Sequence, residues 1–204
     1  MTDQQRSPDV VWQHGNLDRA DRWAALGQRG ATVWLTGLPA AGKSTVAGTL
    51  ERALIEAGRL AYVLDGDNVR HGLSGDLGFD AAARHENVRR VAHVARLFAD
   101  AGAVAIVSLV SPFAADRDRA RALHQEADLD FFEVFIDTPL DECERRDPKG
   151  LYARARSGSL KGLTGVGDPY EPPADPDITV RTTEEPLEAS IGRILDALSL
   201  RSPA

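Results

Sequence analysis

The chain has few of the features that mark secreted, membrane or nucleic-acid-binding proteins. Its one cysteine, Cys143, excludes an internal disulfide and is typical of a reducing compartment, so we expect a cytoplasmic protein without a signal peptide. No apolar run approaches the length of a membrane span, and the five histidines lack metal-ligand spacing. The formal net charge of −7 disfavours broad electrostatic contact with nucleic acid or an anionic membrane.

The overall composition of the chain is ordinary for one globular domain. The 204 residues are 43% hydrophobic and 27% charged, which is enough apolar content for one core. We expect an N-terminal arm over 1–28 with a short helix near 17–26, anchored by Trp12 and Trp23. A single domain over 29–200 and a tail over 201–204 complete the predicted organisation.

Residues 37–44 read Gly-Leu-Pro-Ala-Ala-Gly-Lys-Ser, which matches the P-loop pattern G-x-x-x-x-G-K-S. A β-branched run over 31–35 predicts a strand before the loop, and apolar residues every four positions predict a helix after it, up to Gly58. A glycine turn that matched the P-loop pattern by chance would lack the predicted strand before it and the predicted helix after it. In this setting Lys43 reaches the β- and γ-phosphates of a nucleoside triphosphate, and the Ser44 hydroxyl ligates Mg²⁺. The predicted nucleotide-binding residues are Gly37, Leu38, Pro39, Ala40, Ala41, Gly42, Lys43, Ser44 and Thr45.

Two acids follow the second predicted strand, 59–64. Asp65 and Asp67 would lie beside the P-loop, because ligands of open α/β sheets bind at the carboxyl ends of the strands. One could organise the water shell of Mg²⁺, and we assign that role to Asp65. Asp67 could then accept a hydrogen bond from an acceptor hydroxyl. The alternative is a capped turn, which Asp and Asn favour in any protein.

The middle of the chain offers candidates for an acceptor site. A helix over 81–100 carries an apolar stripe that Arg84 and Asn87 extend at its N-terminal end. Phe79, before it, is either a core residue or a face for a purine ring. A buried strand over 103–110 ends at Ser111, which could be a covalent nucleophile but has no base fixed beside it. We therefore favour a substrate-positioning hydroxyl or a backbone contact.

The rest of the chain alternates regular elements with one unusual segment. It predicts a helix near 116–126, a strand over 131–136, a helix over 140–146, a strand over 178–180 and a closing helix with apolar residues over 187–198. Residues 147–173 are rich in glycine and basic side chains, which indicates a lid or a disordered segment. We favour a lid, in which Lys149 neutralises phosphate charge. The predicted fold class is α/β, a P-loop kinase fold with a parallel five-stranded sheet and helices on both faces.

Nine segments together resemble the adenylylsulfate kinase family, in its order and over nearly the whole chain. They are Gly-Leu-Pro-Ala-Ala-Gly-Lys-Ser at 37–44, Asp-Gly-Asp-Asn-Val-Arg at 65–70, Gly-Phe at 78–79, Arg-His-Glu-Asn-Val-Arg-Arg at 84–90, Leu-Phe-Ala-Asp-Ala-Gly at 97–102, Ser-Pro-Phe at 111–113, Asp-Pro-Lys-Gly-Leu-Tyr at 147–152, Lys-Gly-Leu-Thr-Gly at 161–165 and Asp-Pro-Tyr-Glu-Pro-Pro at 168–173.

The resemblance implies that the chain transfers the γ-phosphoryl group of MgATP to the 3′-hydroxyl of adenosine 5′-phosphosulfate (APS). The product would be 3′-phosphoadenylyl sulfate for sulfate assimilation, and the enzyme would be a homodimer. The implied catalytic residues are Lys43, Asp65, Asp67 and Ser111. The implied substrate contacts are Asp67, Asn68, Val69, Arg70, Phe79, Arg84, Asn87, Val110, Ser111, Lys149, Gly162 and Leu163. The family's serine at the position of Ser111 has been interpreted as a phosphorylated intermediate; the local sequence favours direct in-line transfer instead.

Three departures from the family pattern stand out, at 163, at 83 and at 40–41. Leu163 stands where a Phe is common, so we expect the substrate adenine to stack on Phe79 alone. Ala83 replaces an acidic residue, which predicts a less firmly oriented Arg84. The alanines at 40–41 have to accept P-loop backbone angles without the freedom of glycine.

Two other functions compete with this interpretation. One is a kinase for another small hydroxylated or nucleotide acceptor on the same fold. The other is a nucleotide-dependent switch, which would predict a guanine-reading N-K-x-D motif; the sequence has none.

Overall fold

Five parallel strands form one sheet in the order β2-β3-β1-β4-β5 in the computed structural model, which describes residues 10–11, 13 and 15–199. The prediction for Trp12 and that for the tail over 201–204 lie outside the described residues. The strands are β1 Ala31–Thr36, β2 Ala61–Asp65, β3 Val104–Ser108, β4 Asp130–Ile136 and β5 Ile178–Val180. Each of the five predicted strands is confirmed, and so is the parallel sheet.

The helices lie on both faces of this sheet, as predicted. They are α1 Arg19–Leu26, α2 Lys43–Glu56, α3 Gly66–Val69, α4 Ala81–Ala101, α5 Ala114–Gln125, α6 Leu140–Arg146, α7 Leu151–Arg156 and α8 Leu187–Ser199. The sequence pattern did not predict α3 and α7, because elements of four and six residues are too short to show helical periodicity.

Two apolar layers hold the sheet. On one face α2 and α8 pack with side chains such as Leu50 and Ile194, and on the other α4 packs with Val91 beside the fully buried Trp34. The central strand β1 is buried along its whole length, because it is paired on both edges and covered on both faces.

The register of the sheet brings the ends of three strands together. Ser108, the last residue of β3, pairs with Leu35 of β1 on one side and with Asp65 of β2 on the other. The loop after β1 and the acids after β2 therefore emerge at the same edge of the sheet.

The described part of the arm packs on the end of α4. Arg19 and Arg22 both contact the carboxylate of Asp100. Gly102 ends α4 with φ +102°, a left-handed conformation that favours glycine at this helix end. Within residues 10–11, 13 and 15–199, no helix has the length and apolar character needed to cross a membrane.

Candidate active site

The loop between β1 and α2 has the backbone conformation of a phosphate-binding turn. Gly37 has φ +149°, and a Cβ at this position would lie 2.6 Å from the carbonyl oxygen of Ile136. Ala40 has φ +59°, which is unfavourable for a residue with a side chain. The expectation of unfavourable loop angles is thus confirmed at Ala40 and not at Ala41, whose φ is not positive. Gly42, at φ +110°, leads into the N-terminus of α2.

Lys43 lies inside this turn and is only 8% exposed. Its Nζ donates to the carbonyl oxygens of Gly37 at 2.9 Å and Leu38 at 2.7 Å. Burial disfavours the ammonium form and lowers the pKa of Lys43 to about 8, against the partial compensation of the nearby Asp65. The amine is therefore held in the loop, where a negatively charged phosphate would stabilise its charge.

Ser44 and Asp65 meet at the mouth of the loop. The Ser44 hydroxyl donates to Asp65 Oδ2 at 2.8 Å, and Asp65 Oδ1 accepts from the backbone N–H of Asp67 at 3.0 Å. Asp65 therefore caps α3, which confirms the capped turn, and its other carboxylate oxygen faces the P-loop. A hydroxyl and a carboxylate are the oxygen donors that Mg²⁺ prefers, and this ion usually takes only one or two protein ligands. The pair fits the predicted metal site.

The described residues contain no group of three or more His, Cys, Asp or Glu side chains that could hold a metal ion. A cage built from protein ligands alone is thus absent from this part of the chain. Ser44 and Asp65 could hold the ion only together with phosphate oxygens and water.

Asp67 points across the site to residues 147–173, the segment predicted to be a lid and called the lid below. Its carboxylate forms an ion pair with Lys149, and both side chains are more than half exposed. The pair spans the space between the end of β2 and the start of the lid, so solvent and a ligand could both reach it.

Phe79 presents an aromatic face. It is 67% exposed, so the alternative that it is a core residue is wrong. The Arg70 guanidinium lies 4.3 Å from its ring centroid and also donates to the carbonyl oxygens of Leu77 and Gly78. Arg70 thus covers one side of the ring and leaves the other side for a planar ligand.

Arg84 connects the start of α4 to the lid. It donates to the carbonyl oxygens of Phe79 at 2.6 Å and Gly162 at 2.5 Å, to the carboxylate of Asp168 at 3.1 Å, and to the Thr164 hydroxyl. The prediction that Arg84 is loosely oriented is therefore wrong, because the lid supplies the partners that an acid before it would have supplied.

Asn87 lies one turn after Arg84 and is 5% exposed. Its Oδ1 is buried and has no hydrogen-bond partner among the described residues. A buried acceptor without a partner is costly unless a ligand or water satisfies it, so Asn87 Oδ1 is free to accept a hydrogen bond from either.

The side chain of Leu163 is buried, whereas the sequence interpretation includes Leu163 among the substrate contacts. Its side chain is 8% exposed and packs in the core layer of α2 and α8, so it does not offer a face to a ligand. Only the backbone of the turn at 162–163 remains for a substrate contact. Asn68 is exposed, while Val69 is half-buried against the α4 layer.

Ser111 is buried and fully bonded. Its Oγ accepts from Trp34 Nε1 at 3.2 Å and donates to Thr36 Oγ1 at 3.0 Å. These partners are not bases, which supports the positioning role over the nucleophilic one. The same Thr36 hydroxyl donates to the carbonyl oxygen of Val110 at 2.8 Å, which fixes the backbone just before the serine.

Sequence reasoning missed a cavity of about 210 Å³ beside the P-loop, lined by Gly42, Thr45, Arg146 and Thr182 among others. Arg146 donates to the carbonyl oxygen of Ala41 at 3.2 Å. The position of Arg146 just before the 147–173 segment was a weak signal in the sequence. Only the tertiary fold places Arg146 and Thr182 in the lining of one cavity.

Tyr152 was also missed. It is 2% exposed, and its hydroxyl donates to the carbonyl oxygen of Pro39 at 3.0 Å, which joins α7 of the lid to the P-loop.

Comparisons with known proteins agree with this geometry. The family model described as Adenylylsulphate kinase matches residues 29–181. The adenylyl-sulfate kinase of Clostridium acetobutylicum is 50% identical over 193 residues, which are 95% of each chain. That of Saccharomyces cerevisiae is 51% identical over 88% of this chain and 89% of its own. The solved structure of the Mycobacterium tuberculosis APS kinase CysC in complex with AMPPNP and APS is 52% identical, with a TM-score of 0.82, over 84% of this chain and 99% of that one. The chain belongs to the adenylylsulphate kinase family.

Proposed function

We propose that this chain transfers the γ-phosphoryl group of MgATP to the 3′-hydroxyl of adenosine 5′-phosphosulfate, which gives 3′-phosphoadenylyl sulfate for sulfate assimilation. Family membership supports the reaction. The observation that carries the proposal is the Asp67–Lys149 pair. It links the end of β2, where Asp65 bonds to Ser44 of the P-loop, to the 147–173 segment, where Gly162 bonds to Arg84. A donor phosphate and an acceptor hydroxyl would meet at this pair.

The donor half would be formed by the backbone N–H groups of residues 37–45 and the start of α2. Lys43 would leave its carbonyl partners for the β- and γ-phosphates and add positive charge where the transferred group develops negative charge. Ser44 and Asp65 would hold Mg²⁺, which would neutralise phosphate charge and orient the γ-phosphate.

The acceptor half would be formed around the open face of Phe79. The adenine ring of the substrate would stack there, and Arg84, Arg70 and Asn87 would contact its polar groups. Asp67 would accept a hydrogen bond from the 3′-hydroxyl, while Lys149 would turn from Asp67 to the phosphates. Because Ser111 has no base, the transfer would be direct and in line.

The cavity of about 210 Å³ beside Gly42 would receive the base of ATP. Arg146 closes one side of this cavity, and its guanidinium could stack on the ring. The sequence-based predictions of a cytoplasmic homodimer stay proposals, and light scattering would measure the oligomeric state.

A coupled assay tests the proposed function. Turnover of MgATP would be measured with adenosine 5′-phosphosulfate, AMP, gluconate and shikimate as acceptors, each at several concentrations. We expect the sulfated nucleotide to give the highest kcat/KM. Absence of activity on it, with turnover of another acceptor, would favour the alternative of a kinase for a different small substrate.

A further inference from the structure

Arg117, on α5, is a buried arginine outside the site described above. It is 2% exposed and donates to three acceptors on separate segments of the chain. Nε donates to Glu133 Oε1 on β4 at 2.7 Å, and Nη1 and Nη2 donate to the carbonyl oxygens of Ser111 at 2.8 Å and Glu171 at 2.7 Å. The guanidinium fork has donors at three fixed directions, which a lysine lacks.

The first segment that Arg117 holds is the turn after β3. Ser111 in this turn has φ +38°, a left-handed conformation that is rare for residues other than glycine, asparagine and aspartate. Such a residue persists only where its surroundings fix it in several ways. Here Trp34 and Thr36 fix the hydroxyl of Ser111, and Arg117 fixes its carbonyl group.

The second segment is the exit of the lid. The Glu171 N–H donates to the carbonyl oxygen of Pro112 at 2.8 Å, and the Glu171 carboxylate accepts from the N–H of Ala114 at 2.7 Å. The neighbouring Tyr170 hydroxyl lies 3.1 Å from Thr36 Oγ1. The lid exit and the turn at Ser111 are therefore one bonded unit, and Arg117 joins both halves of it to the sheet through Glu133.

We propose that Arg117 is a positioning residue for the acceptor substrate: it holds the Ser111 turn and the lid exit in the conformation that the acceptor site needs. This inference rests on the proposed function and on the substrate contacts at Val110 and Ser111 that the family resemblance implies. Arg117 bonds to neither the P-loop nor Lys43, so its effect falls on the acceptor rather than on MgATP.

The experiment compares Arg117→Lys with Arg121→Lys. Arg121 lies one turn later on the same helix and approaches the same Glu133 at 3.6 Å, but its main partner is Asp177 at 2.7 Å rather than the turn or the lid exit. A lysine at 117 keeps the charge beside Glu133 but cannot reach three acceptors. We expect the KM for adenosine 5′-phosphosulfate to rise at least about tenfold in Arg117→Lys, from the loss of hydrogen bonds made by a charged donor. The KM for MgATP should change by less than about twofold, and Arg121→Lys should keep both values near wild type.

Equal changes in both KM values, or an unchanged KM for the acceptor in a folded Arg117→Lys protein, would overturn the inference. If that variant does not fold, Glu133→Gln serves in its place, because it keeps the shape of the side chain and removes the charge that Arg117 contacts at 2.7 Å and Arg121 approaches at 3.6 Å. The same acceptor-selective rise is then expected, and an unselective change would contradict the proposal.

A measurement independent of activity separates this inference from the proposed function. Fluorine NMR of protein labelled with 5-fluorotryptophan would report the environment of Trp34, whose indole donates to Ser111. The Trp34 resonance is assigned by Trp34→Phe. It should shift in Arg117→Lys and stay in place in Arg121→Lys, even for an enzyme that phosphorylates another acceptor. An unmoved resonance in Arg117→Lys would show that Arg117 does not hold the turn.

Discussion

Replacing Lys43 by methionine separates the stability of the P-loop from its chemistry. The lysine is 8% exposed and its pKa falls from 10.5 to about 8 through burial. At 1.36 kcal/mol per pKa unit, this shift means that the fold opposes the charged form by about 3 kcal/mol. Methionine would remove this penalty, but it would also lose the two hydrogen bonds to the carbonyl oxygens of Gly37 and Leu38, which contribute about 2 kcal/mol. Lys43→Met keeps the length of the side chain, so its stability at pH 7 should lie within about 1 kcal/mol of wild type.

The sign of the pH dependence follows from the lowered pKa. Below pH 8 the lysine is charged in both folded and unfolded chains, so the full penalty is present. Between about pH 8 and 10.5 the folded protein loses the proton first, so wild-type stability rises with pH relative to Lys43→Met. Urea unfolding of both proteins at pH 7 and pH 10 measures this difference, and the exposed Lys161→Met is the matched control.

Turnover, unlike stability at pH 7, should change strongly in Lys43→Met. Loss of a preorganised charge at the transferred phosphoryl group should lower kcat roughly 100- to 1,000-fold in Lys43→Met. A stable variant without activity is thus the expected result. Near-normal kcat, strong destabilisation at pH 7, or a pH dependence equal to that of wild type would each refute the reasoning.

Two further predictions concern buried side chains. Ser111→Ala should mainly raise the KM for the acceptor, because the hydroxyl bonds only to Trp34 and Thr36 among the described residues. Steady-state kinetics measure the KM, and intact mass measures phosphorylation. A phosphoserine that accumulates in wild type would favour the covalent route instead. His124 is fully buried and its pKa is lowered to about 4 by burial, so the stability that its neutral ring contributes is present above pH 6.5 and is lost as the pH falls from 6.5 towards 4. Wild type should therefore lose up to about 3 kcal/mol more than His124→Gln between pH 7 and pH 4 in urea unfolding, and parallel losses in both proteins would contradict this.

All regular elements except the short α3 and α7 were accessible from the sequence, because each of the others carries its own pattern of apolar residues. The apolar spacing over α4 and the β-branched run of β1 both predicted the observed elements to within a few residues. The P-loop could also be predicted from the sequence, since its glycines, Lys43 and Ser44 are neighbours in the chain. The sequence did not decide whether Phe79 is a core or a surface residue, because one aromatic residue beside a glycine has no periodicity that indicates its exposure.

The contacts made by the lid could not be predicted, because they join residues far apart in the chain. Arg84 bonds to Gly162 and Asp168, about eighty positions away, so its orientation could not be judged from its neighbour Ala83. Leu163 matched a substrate contact by position, but the fold turns its side chain into the core.

The sequence by itself determined the parallel α/β architecture, the phosphate-binding turn and the family, because periodicity and contiguous motifs are properties of the chain. Only the tertiary structure decided which side chains meet across the sheet edge: Ser44 with Asp65, Asp67 with Lys149, and Arg117 with the Ser111 turn. The physical reason is that strand order and register place separate loops at one edge, and no local pattern encodes those distances.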